Sequence, residues 1–130
     1  MEPNTPKKTF NFLVVEDNEE SALLLKTVLE KFQTEVKTAF NGEDAVRICK
    51  ENKDIDLILM DFKMPVMDGY KATQKIRAFN KNVVIIAQTA YVREHDRKKA
   101  IQVGCNDFIT KPIDIGKLLK LIRKHLDLKE

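Results

Sequence analysis

Five polar residues of this chain have types and positions that could do chemistry together: Glu16, Asp17, Asp61, Thr89 and Lys111. Each follows an apolar, strand-like run. Phe10-Asn11-Phe12-Leu13-Val14-Val15 precedes the acid pair, and Leu57-Ile58-Leu59-Met60 precedes Asp61. Val83-Val84-Ile85-Ile86-Ala87 leads through Gln88 to Thr89, and a run from Cys105 ends on Lys111. If those runs are neighbouring parallel strands, all five groups meet where open α/β sheets bind ligands. Three carboxylates in one place repel. At about 5 Å and an effective dielectric near 20, each pair costs on the order of 3 kcal/mol. A cation among them removes that conflict. All-oxygen ligands with room for waters and a phosphate suit Mg2+ (or Mn2+). Lys111 is then a point charge for phosphate oxygens, and Thr89 a hydroxyl donor. A carboxylate so equipped can attack phosphorus while cations neutralise the equatorial oxygens. The product is an acyl phosphate on Asp61, which water later hydrolyses.

The elements that must position these groups can be read in order. Asn18 or a near neighbour caps a first helix carrying Ala22, Leu25, Val28, Leu29 and Phe32 at helical spacing, with Glu19 and Glu20 at its positive end. Thr34–Phe40 reads as a second strand, and Asn41-Gly42 opens a helix with Ala45, Ile48 and Cys49 inward. Leu57–Met60 is apolar at every position, as in a strand buried on both faces. A loop with Pro65 and Asp68-Gly69 follows, then a helix from Gly69 to Phe79 with Ala72, Ile76 and Phe79 inside. A charged helix runs from about Val92 to Val103, stopped by Gly104. Asp114 caps a last helix whose inner stripe is Ile115, Leu118, Leu119, Ile122 and Leu126. The strand and helix signals alternate as five pairs. That pattern predicts an α/β fold, a flavodoxin-like three-layer sandwich with a five-stranded parallel sheet of order 2-1-3-4-5. In that order the first, third, fourth and fifth strands are neighbours, as the chemistry requires.

The bulk properties fit a single domain. The chain has 130 residues, 43% hydrophobic and 33% charged, with a net charge of +3. This excludes disorder and gives no reason to expect direct nucleic-acid binding. No apolar stretch approaches the roughly 20 residues of a membrane span, and Met1–Thr9 lacks a signal-peptide core. The expectation is a cytoplasmic domain over 10–128, with 1–9 as a tail or linker and 129–130 as its C-terminal end. Cys49 and Cys105 belong to no metal-spaced cluster and are expected to be packed thiols.

The pattern resembles the receiver domains of response regulators in two-component and phosphorelay signalling, most of all those of hybrid sensor histidine kinases. The resemblance rests on Val14-Val15-Glu16-Asp17-Asn18, Leu59-Met60-Asp61, Met64-Pro65-Val66-Met67-Asp68-Gly69, Gln88-Thr89-Ala90 and Asp107-Phe108-Ile109-Thr110-Lys111-Pro112. It implies that Asp61 is the phosphoacceptor, with Mg2+ held by Glu16, Asp17, Asp61 and the Lys63 backbone carbonyl. It implies that Thr89 and Lys111 engage the phosphoryl group. Thr89 and Phe108 would form a switch that remodels the face of the fourth helix, fifth strand and fifth helix. Lys63 and Tyr91 would border the site and tune the lifetime of the acyl phosphate, Tyr91 by shielding it from water. Lys111-Pro112 is a candidate cis peptide. The implied partners are a sensor histidine kinase, a histidine phosphotransfer protein or domain, or both. The activity would be limited to the domain's own Mg-dependent phosphorylation and dephosphorylation, alone or within a hybrid kinase.

Other readings weaken on specific residues. Dehalogenase-type phosphatases want a second Asp two residues after the nucleophile, where this chain has Lys63. A flavin site would want a Ser/Thr/Gly-rich loop where Glu16-Asp17-Asn18-Glu19-Glu20 stands. A phosphate-independent pseudo-receiver is the remaining alternative, and the complete set of acids, Thr and Lys argues against it. His95 and His125 are expected on exposed helix surfaces, Met64 and Met67 in loop packing. Arg93, Arg97, Lys98 and Lys99 read as a solvated face, while Lys117, Lys120, Arg123 and Lys124 favour the last helix's dipole and could meet an acidic partner.

Overall fold

Leu57–Asp61 forms the central strand, and every one of its residues is buried. The computed structural model describes residues 9–32, 34–64, 66–90 and 93–126. In chain order they form β1 (Phe10–Val15), α1 (Glu19–Leu29), β2 (Thr34–Ala39), α2 (Gly42–Glu51), β3 (Leu57–Asp61), α3 (Gly69–Arg77), β4 (Val84–Thr89), α4 (Glu94–Val103), β5 (Asp107–Thr110) and α5 (Ile115–His125). The sheet has the order β2-β1-β3-β4-β5, and each pairing is parallel. This is the expected topology.

Alternation along the strands divides the core in two. Phe12, Val14, Leu57, Leu59, Ile86 and Ile109 face α1 and α5, where Leu25, Leu29, Leu118 and Ile122 cover them. Leu13, Val15, Ile58, Met60, Ile85 and Ala87 face α2, α3 and α4, against Ala45, Cys49, Ala72, Ile76 and Ala100. Each fully buried Leu or Ile contributes roughly 1.5–3 kcal/mol over exposure. Because Leu57 and Leu59 lie on the first face, so does Asp61, two residues further on.

The caps explain where helices begin. Asn18 Oδ1 accepts from Ser21 N at 2.8 Å, Asn41 Oδ1 from Asp44 N at 2.8 Å, Asp68 Oδ1 from Lys71 N at 3.0 Å and Asp114 Oδ1 from Lys117 N at 3.1 Å. α4 starts without a side-chain cap, and Ala100 is the one residue it buries. It is the least anchored helix. Gly104 ends it in the left-handed region at φ 114°.

Several expected inner positions differ. α3 ends at Arg77, and Phe79, beyond it, is exposed because the chain has already turned toward Asn80. Leu121, not Leu119, packs on the α1/α5 core, since the helix phase set by Leu118 and Ile122 carries 121 inward. The second strand stops at Ala39, leaving Phe40 exposed. Val92 lies outside the described residues, and α4 begins at Glu94. Cys49 and Cys105 are buried free thiols. Among the described residues no helix is long and apolar enough to cross a membrane.

Candidate functional site

Parallel pairing in register brings the strand ends together. Asp61 is paired with Gln88, and Thr89 with Thr110. Phe62 N donates to Gln88 O at 3.0 Å, and Lys111 N donates to Thr89 O at 2.8 Å. Lys111 therefore leaves β5 beside the end of β4, and its side chain turns back over Asp61. The Lys111–Pro112 peptide is cis.

Lys111 Nζ donates to Asp61 Oδ2 at 2.9 Å and stands 3.5 Å from Glu16 Oε1. Asp61 Oδ1 accepts the Lys63 amide at 3.0 Å. Glu16 Oε2 accepts the Asn18 amide at 3.2 Å. Asp61 is 2% exposed and Glu16 3%, whereas Asp17 reaches solvent. Burial pushes the Glu16 carboxyl above its ordinary value, and the Asp61 carboxylate adds to the rise against the opposing pull of Lys111. Burial pulls the Lys111 ammonium down, but Asp61 and then Glu16 outweigh it and leave it raised. Lys111 thus partly neutralises a pair of buried acids.

One carboxylate oxygen each from Glu16, Asp17 and Asp61 lies within 4.8 Å of the others. Three hard oxygen donors, one open to water and two held from below, fit a hard divalent cation such as Mg2+. Asp61, Lys63, Thr89 and Lys111 line one cavity of about 360 Å³. The Lys63 side chain points to solvent, and its amide holds Asp61. Tyr91 lies outside the described residues.

The loop after Asp61 is held by close approaches. A Cβ at Gly69 would stand 2.4 Å from the Asp61 carbonyl oxygen, so only glycine lets α3 start there. The Gly42 amide donates to Met67 O at 3.0 Å, tying the loop to α2. Between them Val66 takes a φ of 68°, a strained conformation for a β-branched residue, with 78% of its surface exposed. Met67 and Met64 pack on the core, as expected of loop methionines.

Phe108 is half-buried on the opposite face of β5 from Lys111, packed on the α2–α4 core, with the Arg97 guanidinium 4.9 Å above its ring. The charged neighbours of His125 in the chain predict an exposed surface for it. The structure instead holds it largely buried, with Nε2 2.8 Å from Asp107 Oδ2, while Asp107 Oδ1 accepts the Phe108 amide at 2.9 Å. The spacing Leu118–Ile122–His125 follows the inner stripe of α5 and was the available signal. Gln88, which by sequence is only a strand residue on the way to Thr89, is a second such position. It is fully buried beside Asp61, with no partner among the described residues for either amide atom.

The chain matches the response regulator receiver domain over residues 12–123. It belongs to that family. The receiver domain is 39% identical over 118 residues to hybrid signal transduction histidine kinase M of Dictyostelium discoideum, covering 86% of this chain and 5% of that protein. It thus spans a small part of that relative. Among solved structures it superposes with a TM-score of 0.85 and 36% identity on the receiver domain of Ssk1 from Saccharomyces cerevisiae, which was crystallised with the histidine phosphotransfer signaling protein Ypd1. The match covers 92% of this chain and 90% of that one. The receiver domain of a sensor histidine kinase from Pseudomonas aeruginosa PAO1 matches with a TM-score of 0.81 and 34% identity, over 92% of this chain and 99% of that one. A magnesium ion is coordinated in its active site cleft. This chain is therefore a receiver domain of the two-component signalling family.

Proposed function

We propose that Asp61 accepts a phosphoryl group from a phosphohistidine of a sensor kinase or histidine phosphotransfer protein. The observation that carries this reading is the Lys111–Asp61 contact at 2.9 Å, inside a cluster of three carboxylate oxygens. Asp61 is held by the Lys63 amide on one oxygen and by Lys111 on the other, so its carboxylate is oriented before a donor arrives. An Asp61 oxygen attacks phosphorus, the phosphorus–nitrogen bond breaks, and the leaving imidazole recovers the electron pair and can take up a proton. Glu16, Asp17, Asp61 and the Lys63 carbonyl would hold Mg2+, which when bound supplies charge neutralisation for the transferring oxygens. Lys111 follows the charge from the carboxylate to a phosphoryl oxygen, and the Thr89 hydroxyl donates to another. Thr89 drawn toward the phosphoryl group frees space for Phe108, and the surface of α4, β5 and α5 changes with it. A half-buried ring under a weakly anchored helix is suited to such a step, because packed elements rearrange between discrete states. Lys63 and Tyr91 would tune the lifetime of the acyl phosphate. On this reading the domain acts in the cytoplasm, alone or as part of a membrane-bound sensor kinase.

The test is intact mass after incubation with acetyl phosphate and Mg2+, beside Asp61→Asn. The expected result is one added phosphoryl group, absent in the variant and in the presence of a chelator. An unmodified chain under every donor, a phosphohistidine protein included, makes it a phosphate-independent pseudo-receiver.

A further inference from the structure

Gln88 stands at a position where an apolar side chain would suffice for packing. Ile86 precedes it on the same face, Leu59 lies under Asp61 on one neighbouring strand, and Ile109 is its register partner on the other; all three are buried. Yet Gln88 carries an amide, 0% exposed, whose Oε1 and Nε2 both lack a partner among the described residues. A buried amide without partners weakens a fold, so Leu or Met would serve a purely structural position better.

Its location says what the amide is for. Behind the Asp61 cavity lies a groove between α1 and α5 of about 270 Å³, lined by Glu16, Gln88 and Lys111. Gln88 and Lys111 also line the Asp61 cavity, so these two side chains form the wall between the spaces. The Lys111 ammonium has three donors, of which one is placed on Asp61 at 2.9 Å while Glu16 lies further off at 3.5 Å. When Asp61 carries a phosphoryl group, Lys111 moves toward phosphate oxygen and draws away from Glu16, whose carboxylate would then have Mg2+ and the Asn18 amide but no longer the ammonium. A carboxamide can meet both needs without adding charge. Its oxygen accepts from the ammonium, and its NH2 donates to Glu16.

We propose that Gln88 is a positioning residue for phosphoryl transfer, its amide holding Lys111 and Glu16 in their phosphate-facing arrangement. This rests on Asp61 being the phosphoacceptor. It predicts that Gln88 matters to the phosphorylated state and not to the stability of the free domain.

The experiment compares the wild-type chain with Gln88→Leu and Gln88→Met, which keep bulk and remove the amide. Three quantities are read: the dissociation constant for beryllofluoride (a phosphoryl mimic) with Mg2+ by calorimetry, the rate of phosphorylation by acetyl phosphate, and Tm. The expected result is beryllofluoride binding weakened about tenfold and phosphorylation slowed to a similar degree, with Tm unchanged or raised. Added to Lys111→Met, Gln88→Leu should cost much less than it does in the wild-type background, because one of the two groups it positions is gone. Binding within twofold of wild type, an undiminished loss in the Lys111→Met background, or a Tm that falls with activity would each overturn the proposal. A wild-type chain taking neither phosphoryl nor beryllofluoride overturns the phosphoacceptor reading itself, and this inference with it.

Discussion

Asp61 and Lys111 stand 50 positions apart in the chain, and their side chains meet at 2.9 Å. The contact closes β3 against the segment after β5 across the end of β4, so the cation at the site is delivered by the residue that follows the chain's last strand. Lys111 also compensates for two buried carboxylates that share one oxygen cluster.

Lys111→Met should therefore leave Asp61 and Glu16 facing each other without their cation. Breaking a fully buried pair costs about 3–5 kcal/mol. Here the lysine keeps 35% of its side chain exposed, and solvent reduces the loss to about 1–2 kcal/mol. Added Mg2+ should recover stability in the variant more than in wild type, since the ion no longer competes with an ammonium. Urea denaturation with and without Mg2+ measures both effects; a variant as stable as wild type in chelator would show that the pair is not holding the acids.

Much of this was legible in the chain. Doubly buried strands and capped amphipathic helices alternate strictly, and that order admits few topologies, so the sheet and the convergence of Glu16, Asp17, Asp61, Thr89 and Lys111 followed together. What escaped depends on tertiary neighbours rather than on local pattern. His125 sits among charged residues in sequence, and only the approach of β5 gives it Asp107. Gln88 extends an apolar run and shows its peculiarity only once both its amide atoms are seen to be enclosed. Val66 has no glycine-like signal, yet the chain must turn there because Gly42 fixes Met67 next to it.

Gly69→Ala places a methyl group 2.4 Å from the Asp61 carbonyl oxygen and 2.5 Å from the Phe62 ring. The first obstacle is strand backbone, which cannot swing aside as a side chain can. The variant should lose about 1–3 kcal/mol, and the shift falls on the residue that carries the chemistry. Phosphorylation by acetyl phosphate should slow even at temperatures where circular dichroism shows the domain fully folded. Wild-type kinetics would mean that the loop relaxes without moving Asp61.

Arg77 joins the end of α3 to the turn between α4 and β5. Its Nε donates to Gly104 O at 2.8 Å, Nη1 to Asn80 O at 3.2 Å and Nη2 to Asn106 Oδ1 at 2.8 Å. The same Asn106 oxygen accepts the Ile85 amide at 2.8 Å, so the guanidinium also braces β4. Arg77→Ala should cost about 2–3 kcal/mol, because hydrogen bonds to a charged donor are lost and acceptors are left behind. Arg77→Lys should recover less than half of it, since one ammonium cannot span three directions. Denaturant midpoints decide the matter, and a lysine variant equal to wild type would assign the effect to charge alone.

Burial raises the thiols of Cys49 and Cys105 from 9.0 to about 12. For a group whose pKa is higher folded than unfolded, the stability it contributes is complete below the unfolded value and is lost as pH rises toward the folded one. The window here runs from pH 9 to about 12. Within it each thiol should remove about 1.4 kcal/mol per pH unit, because the unfolded chain ionises and the folded one does not. Urea midpoints at pH 8, 9 and 10 should fall, and the slope should be shallower in Cys49→Ala with Cys105→Ala. A residual slope is expected from Tyr70, whose phenol burial also raises. At pH 8 the folded thiols would be roughly one part in ten thousand thiolate, so iodoacetamide should label neither until urea opens the domain. Fast labelling of the native domain, or a double variant with an undiminished slope, would place the thiols nearer solvent than their packing against Ala45, Thr73 and the α3 side of the sheet allows.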